Sequence, residues 1–341
     1  MTGIAVIGYG YWGPNLVRNF SLATSAAVVA VCDQRAERLD TVHKLYPAIA
    51  TYTNVDEMLV DPAVDAVAIA TPVNTHFPLA MKALEAGKHV FVEKPFTSTS
   101  EQGELLVSLA DDKQLTLMVD HTFIYTSAVR KIHELIRSGS LGELYYYDSV
   151  RVNLGLFQSD VSVMWDLAVH DLSIMDFLLG KTPLSVSAIG VSHVAGQPEN
   201  MAYITCRFEN NLIAHFHVNW LAPVKVRQTL ICGSEKMVVF DDVDMSEKVK
   251  VYDKGIILDD NDEKVLQRHV GYRTGDMWAP RLDNIEALTI EAQHFVDCIR
   301  TGATPLSDGR AGLRVIRVLE AATRSMAANG APVDLITSLV S

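Results

Sequence analysis

Short, continuous apolar runs punctuate the amino-terminal part of the chain, with helical patterns between them. Ile4-Ala5-Val6-Ile7 is followed by Leu16, Val17 and Phe20 at helical spacing, then by Val28-Val29-Ala30-Val31 and a charged helix from Ala36. The alternation continues through Ala66 to Ala70, a helix from Pro78 to Ala86, and His89-Val90-Phe91-Val92. A helix from Glu101 to Ala110 and a run from Leu115 to Val119 complete it. Strands apolar on both faces, joined by amphipathic helices, describe a parallel sheet covered on both sides. Right-handed βαβ crossovers then leave a doubly wound α/β fold.

From about Thr122 the pattern changes. A helix from Ala128 to Ser138 ends at Gly139 and Gly142. Longer strands follow at Glu143 to Val152, Ser185 to His193, Ala202 to Phe208, Leu212 to Trp220, Gln228 to Cys232 and Met237 to Phe240. Asn210-Asn211 predicts a hairpin turn between two of them. One helix, Asp166 to Leu179, stops at Gly180, and two more, Asn284 to Arg300 and Arg310 to Ala328, close the chain. Hairpin strands with helices on one side predict an α+β domain with a large, mostly antiparallel sheet. The domains read as 1–121 and 122–341.

Composition agrees with two domains, since 341 residues divide well at ~150 residues each. Hydrophobic residues make up 49% and charged ones 21%, enough apolar surface to exclude a disordered or fibrous chain. Forty-one Asp and Glu against 29 Lys and Arg leave a formal charge of −12. That balance argues against nucleic acid and anionic membranes as partners. Cys32, Cys206, Cys232 and Cys298 form no CxxC pair, so neither a zinc knuckle nor a disulfide framework is expected. No apolar run approaches the ~18 residues that span a bilayer. A cytoplasmic protein is the expectation.

Gly8-Tyr9-Gly10-Tyr11-Trp12-Gly13 follows the first strand directly and opens the first helix. Alone, GxGxxG is a weak signal. Here a strand precedes it, a helix follows, and Asp33 stands twenty positions beyond Gly13 at the end of the second strand, which together read as a Rossmann dinucleotide site. The glycines let the backbone approach a pyrophosphate on the positive end of the helix, and Pro14 suits that helix's first turn. Asp33 accepts from the adenosine ribose 2′-OH and repels a 2′-phosphate, favouring NAD over NADP. Arg35 and Arg38 read either as solvated residues or as contacts to adenine or a 2′-phosphate.

Two further clusters carry chemistry. Val92-Glu93-Lys94-Pro95 closes a strand at the carboxyl edge of the parallel sheet, where ligands bind. Asp166 and His170, four apart at a helix start, project from one face, and a carboxylate beside an imidazole orients a proton-transfer base. A histidine titrating near ~6.5 makes His170 the acid/base, Asp166 its orienting partner and Lys94 a cation on the developing alkoxide. A desolvated Lys94 acting as base is the alternative.

Together these pieces resemble the Gfo/Idh/MocA oxidoreductase family over essentially the whole chain. The matching segments are Gly8 to Gly13, Ala70-Thr71-Pro72-Val73-Asn74-Thr75-His76, Glu93-Lys94-Pro95, Asp166 with His170, Pro305-Leu306-Ser307-Asp308-Gly309 and Gly330. The resemblance implies that the first domain binds NAD(P), with Gly8, Gly10, Tyr11, Trp12, Gly13, Asp33, Thr71, Pro72, His76, Glu93 and Lys94 around it. It implies that the sheet-rich domain holds the substrate and that its open face joins subunits into a dimer or tetramer. GYWGPN, HTFIYTSAVRKI, NLGLFQSD and WDLAVHDLSI look most like sugar-nucleotide dehydrogenases acting at C3 of a hexose. One departure is that Phe123 and Ile124 stand where many members carry arginines.

A diphosphate substrate needs cations, and Arg151, Lys225, Arg227 and Arg273 are the candidates, with Asn153 and Tyr272 placed to fix hydroxyls. The expected substrate residues are therefore Lys94, Arg151, Asn153, Asp166, His170 and Tyr272. Free polyols such as inositol are the alternative substrates. A non-catalytic NAD sensor and an NAD-dependent glycosidase are the alternative functions. His215 and His217 share a strand face but lack a third ligand, so no metal is expected. The acidic runs 241–244 and 259–263 lack calcium-loop spacing and read as solvated loops.

Overall fold

The computed structural model describes residues 1–155, 161–258 and 270–335. They fall into two compact units, Met1–Thr126 with Ile285–Glu320 and Ser127–Asn284 with Ala321–Ser341.

In the first unit, β1 (Thr2–Ile7), α1 (Gly13–Leu22), β2 (Ala26–Cys32), α2 (Ala36–Leu45), β3 (Ala50–Tyr52) and α3 (Val55–Leu59) make one half of a doubly wound fold. The other half is β4 (Ala66–Ile69), α4 (His76–Glu85), β5 (His89–Glu93), α5 (Ser100–Asp112) and β6 (Leu117–Asp120). All six strands run parallel in the order β3-β2-β1-β4-β5-β6. Every residue of β1 and β4 is buried, as continuous apolar runs between two helix layers must be. The order reverses between β1 and β4, and at such a switch point the carboxyl ends of the strands open a ligand crevice. The strand pattern missed β3, because Ala50-Thr51-Tyr52 is a short, exposed edge piece with no apolar run.

The second unit opens with α6 (Ser127–Arg137) and β7 (Leu144–Leu154), followed by α7 (Val169–Leu179). The chain then enters β8 (Ser185–Val191), β9 (Met201–Arg207), β10 (Ile213–Asn219), β11 (Leu221–Gly233), β12 (Met237–Asp241) and β13 (Val249–Tyr252). β14 (Gly255–Leu258) and β15 (Val270–Arg273) pair as a separate ribbon, and β16 (Met277–Trp278) and β17 (Val333–Asp334) are the sheet's short edges. The nine-stranded sheet runs β16-β13-β12-β11-β7-β10-β9-β8-β17 and is mixed, since β7 and β10 are parallel while the other pairs are antiparallel. Asn210 and Asn211 both adopt positive φ in the turn between β9 and β10, as the hairpin expectation required. Gly180 ends α7 in the left-handed conformation.

Two helices complete the chain, α8 (Ala287–Thr301) and α9 (Gly309–Ala327). The sequence pattern assigned everything beyond residue 121 to the second domain, yet Ile285–Glu320 packs with the first unit. The cause is aromatic. Phe295 of α8 meets Phe20 of α1 and Phe91 of β5 edge-on, with ring centroids 6.0 and 5.5 Å away. Arg18 forks onto Glu286 through two 2.7 Å contacts, and Thr289 donates to Asn19.

Candidate functional site

At the nucleotide end, Gly8 sits at φ +94, a conformation L side chains rarely adopt. A Cβ on Gly13 would strike the carbonyl oxygen of Gly8. The loop and the start of α1 therefore touch through bare backbone. No side chain caps the first turn of α1, and Pro14 occupies it, which leaves this positive helix end without a competing side-chain acceptor where a phosphate would sit. Tyr11 projects 94% exposed over this loop. Asp33 is buried and already accepts from the Tyr9 amide (2.8 Å) and the Arg35 amide (2.9 Å). Burial disfavours its charge, but those two amides and the Arg35 guanidinium hold its pKa below the usual carboxylate value. It stays ionised, with lone pairs left for a ribose hydroxyl. The chain's own residues thus fit a dinucleotide.

The carboxyl edge is held by His76. Its ring nitrogens lie 2.9 Å from the carbonyl oxygens of Pro95 and Thr71, tying the end of β5 to the end of β4. Only an imidazolium could donate to both, and burial pushes the pKa of His76 down, so the neutral ring donates to one of them. The ring is 1% exposed. His76, expected among the cofactor contacts, is thus a buried residue that shapes the carboxyl edge of the sheet. Thr71 accepts from the Thr75 hydroxyl at 2.7 Å, and Pro72 leads into the short helical turn before α4.

Glu93, expected among the cofactor contacts, is one of three clustered acids, of which the other two, Asp120 and Glu291, were missed in the sequence. Glu93 and Asp120 are paired residues on neighbouring strands, and Glu291 of α8 joins them. Asp120 accepts from the Trp12 indole at 3.1 Å and from the Thr122 hydroxyl. Neither oxygen of Glu291 receives a hydrogen bond, nor does Oε1 of Glu93. Burial, then the charge of Asp120, pushes the carboxyls of Glu93 and Glu291 well above their ordinary values. In each, the same causes favour the neutral acid. The adjoining His121 is 2% exposed, and burial lowers its pKa to about 4. Among the described residues no group of three or more His, Cys, Asp or Glu is arranged to hold a metal ion.

In the second unit the expected helix start at Asp166 is a π-helical turn, Met164–Ala168, running into α7. Such turns carry an extra residue and recur at functional sites. Asp166 accepts from the Trp220 indole at 3.3 Å, and a Cβ on Gly155 would collide with that indole. His170 follows in the first turn of α7, its carbonyl accepting from the Ser173 hydroxyl at 2.7 Å. Asp166 thus lies on the π-helical turn and His170 in the first turn of the helix that continues it.

Arg151 was expected to bind substrate. It is 3% exposed and forks onto Asp171, Nε donating at 2.6 Å and Nη2 at 3.1 Å, so its guanidinium is committed inside the unit. Arg227 pairs with Asp242 and Arg273 with Asp253. Lys225 is exposed, Asn153 is half-buried at the end of β7, and Tyr272 is 81% exposed on the β14–β15 ribbon. The sheet face bearing His215 and His217 is half-exposed, with the Tyr203 ring stacked 5.9 and 4.5 Å from the two imidazoles. Of the acidic runs, Asp242 and Asp244 pair with Arg227, Lys248 and Lys250, while 259–263 lies outside the described residues.

Comparison with known proteins places these features. A family model described as the oxidoreductase family's NAD-binding Rossmann fold matches residues 2–121, and one for its C-terminal alpha/beta domain matches 133–335. The chain is 28% identical over 315 residues to a UDP-N-acetylglucosamine 3-dehydrogenase of Acidithiobacillus ferrooxidans, covering 91% of this chain and 93% of the relative. A solved structure of that enzyme superposes with a TM-score of 0.81 at 26% identity, covering 96% and 98% of the two chains. A scyllo-inositol 2-dehydrogenase (NAD(+)) of Bacillus subtilis is 26% identical over 347 residues, 98% of this chain and 94% of the relative. With a glycine cradle, an ionised Asp33 and both family models matched, the chain belongs to the Gfo/Idh/MocA family of NAD-binding oxidoreductases.

Proposed function

We propose that the protein oxidises or reduces a secondary carbinol of a sugar, C3 of a nucleotide-linked hexose such as a UDP-N-acetylhexosamine or its uronic acid. The observation that carries the dehydrogenase chemistry is the Asp166–His170 segment, fixed by the Trp220 indole and the π-helical turn. NAD supplies the hydride acceptor at the nicotinamide. His170 takes the hydroxyl proton, Asp166 orients the imidazole, and Lys94 hydrogen-bonds the oxygen as it becomes alkoxide. Asp33 and the glycine loop hold the dinucleotide. Similarity to the 3-dehydrogenase over 91% of the chain supports the sugar-nucleotide substrate.

A second reading, a free polyol, is favoured by the arginines. Arg151, Arg227 and Arg273 each pair with a carboxylate, which weakens the case for a diphosphate clamp built from them. A panel of UDP-, dTDP- and GDP-sugars beside free inositols and sugars, followed at the NADH absorbance band, decides between the two. Turnover with a UDP-hexosamine is expected; turnover with a free polyol and none with any nucleotide sugar refutes the first reading. No absorbance change with any of them, despite NAD binding, would instead favour a sensor.

A further inference from the structure

Arginine 151 is costly where it stands. Taking a guanidinium and a carboxylate out of water costs several kcal/mol per ion, and an apolar pair of the same volume often serves stability as well. The Arg151–Asp171 pair, with side chains 3% and 5% exposed, therefore calls for a reason other than stability. Its placement supplies one. Asp171 is the residue after His170, in the first turn of α7. Arg151 grips its carboxylate with both arms of the fork, while Tyr147, four residues earlier on the same face of β7, donates to its backbone carbonyl at 3.5 Å. Two buried donors on the central strand thus fasten one residue of the helix at both side chain and backbone.

We propose that Arg151 is a positioning residue: through Asp171 it sets the place and the charge environment of the His170 imidazole, and it does not touch substrate. This rests on the reading of His170 as the acid/base. Paired, the two buried charges cancel beside His170; separated, each acts on it with opposite sign. Other ionisable groups around this segment include Asp166 on the π-helical turn, Asp176 of α7, Tyr147 on β7, Arg227 with Asp242 across β11, and Arg130 and His133 of α6, which lie on Phe177 of α7. None is altered by the substitutions below.

The test uses the full-length protein with NAD bound. Arg151→Met leaves the Asp171 anion unpaired, so the His170 titration moves to higher pH by about one unit; Asp171→Asn leaves the cation and moves it lower. Imidazole NMR of histidine-labelled protein reads both shifts directly, whatever the reaction. Turnover in each variant falls about 10-fold or more, with the NAD Kd within about twofold, and the limb of kcat against pH moves as the NMR does. Arg151→Lys, which keeps the charge but loses the fork, leaves the titration in place while turnover still falls. Should either single variant fail to fold, the apolar pair Arg151→Met/Asp171→Leu serves: its His170 titration stays put and turnover falls. Wild-type titration and turnover in folded Arg151→Met and Asp171→Asn overturn the proposal. Opposite NMR shifts together with near-normal turnover in His170→Ala uphold the coupling and refute the role given to His170.

Discussion

The buried acids near Lys94 make a prediction that can be worked to a magnitude. Glu291 is 0% exposed and neither of its oxygens has a hydrogen-bond partner, so burial and the neighbouring Asp120 push its carboxyl well above the ordinary value and favour the protonated form in the native chain. Unfolded, the same carboxyl titrates at 4.5. Between 4.5 and its raised native value the native state binds one more proton than the unfolded state. Stability contributed by Glu291 is therefore complete below the unfolded value and is lost as pH rises toward the native one. The slope is about 1.4 kcal/mol per pH unit for one proton. Glu291→Gln keeps a neutral donor of the same shape and removes the titration. Relative to the wild type it should match near pH 4.5 and gain about 1.4 kcal/mol with each pH unit above, until the native acid itself titrates. Urea midpoints followed by circular dichroism from pH 5 to 8 at constant ionic strength, with m unchanged, read the difference. A pH-independent offset would show that Glu291 does not titrate between the two states. A variant that loses ground as pH rises would show a native carboxylate, and either result refutes the assignment.

Three other outcomes follow from the same geometry. Asp33→Asn removes a charge beside Arg35 while keeping an amide oxygen for the loop, so calorimetry should find the NAD-over-NADP preference narrowed by ~10-fold or more. Tighter NADP binding by the unaltered protein would assign the 2′-phosphate to Arg35. His170→Ala and Lys94→Ala should each bind NAD nearly as well as the wild type and turn over ~100-fold or more slowly, and near-normal turnover in His170→Ala would move the base to Lys94. If the half-exposed face around Tyr203, His215 and His217 joins subunits, His217→Glu should lower the mass measured by light scattering; an unchanged mass places the subunit contact elsewhere, and a monomeric wild type refutes it outright.

What could be read in advance follows from how local each signal is. The Rossmann unit was legible because burial on both faces forces continuous apolar runs, and because a strand-turn-helix of fixed length sets Gly13 against Gly8 and the Tyr9 amide on Asp33. The edge strand β3 escaped because an exposed three-residue strand carries no such constraint. Asp166 and His170 were legible as a pair four apart. That their turn is π-helical was not, since the extra residue shows only in the backbone. The route of α8 back to the first unit was hidden because Phe295 looks like any helix-core aromatic until Phe20 and Phe91 are brought to it.

The two largest gaps have one physical origin. A charged residue read from sequence is assumed to face solvent or ligand, since burying an ion costs so much. Arg151 breaks that assumption through Asp171, twenty residues on, and Glu291 breaks it by giving up its charge to Asp120, far off in the chain. Neither partner lies at helical or strand spacing, so no periodicity could announce it. Both departures lie beside candidate chemistry, one next to His170 and one next to Lys94. Each is a group whose charge is set by a partner distant in the sequence, so its ionisation, unlike that of a surface charge, can be read only from the folded chain.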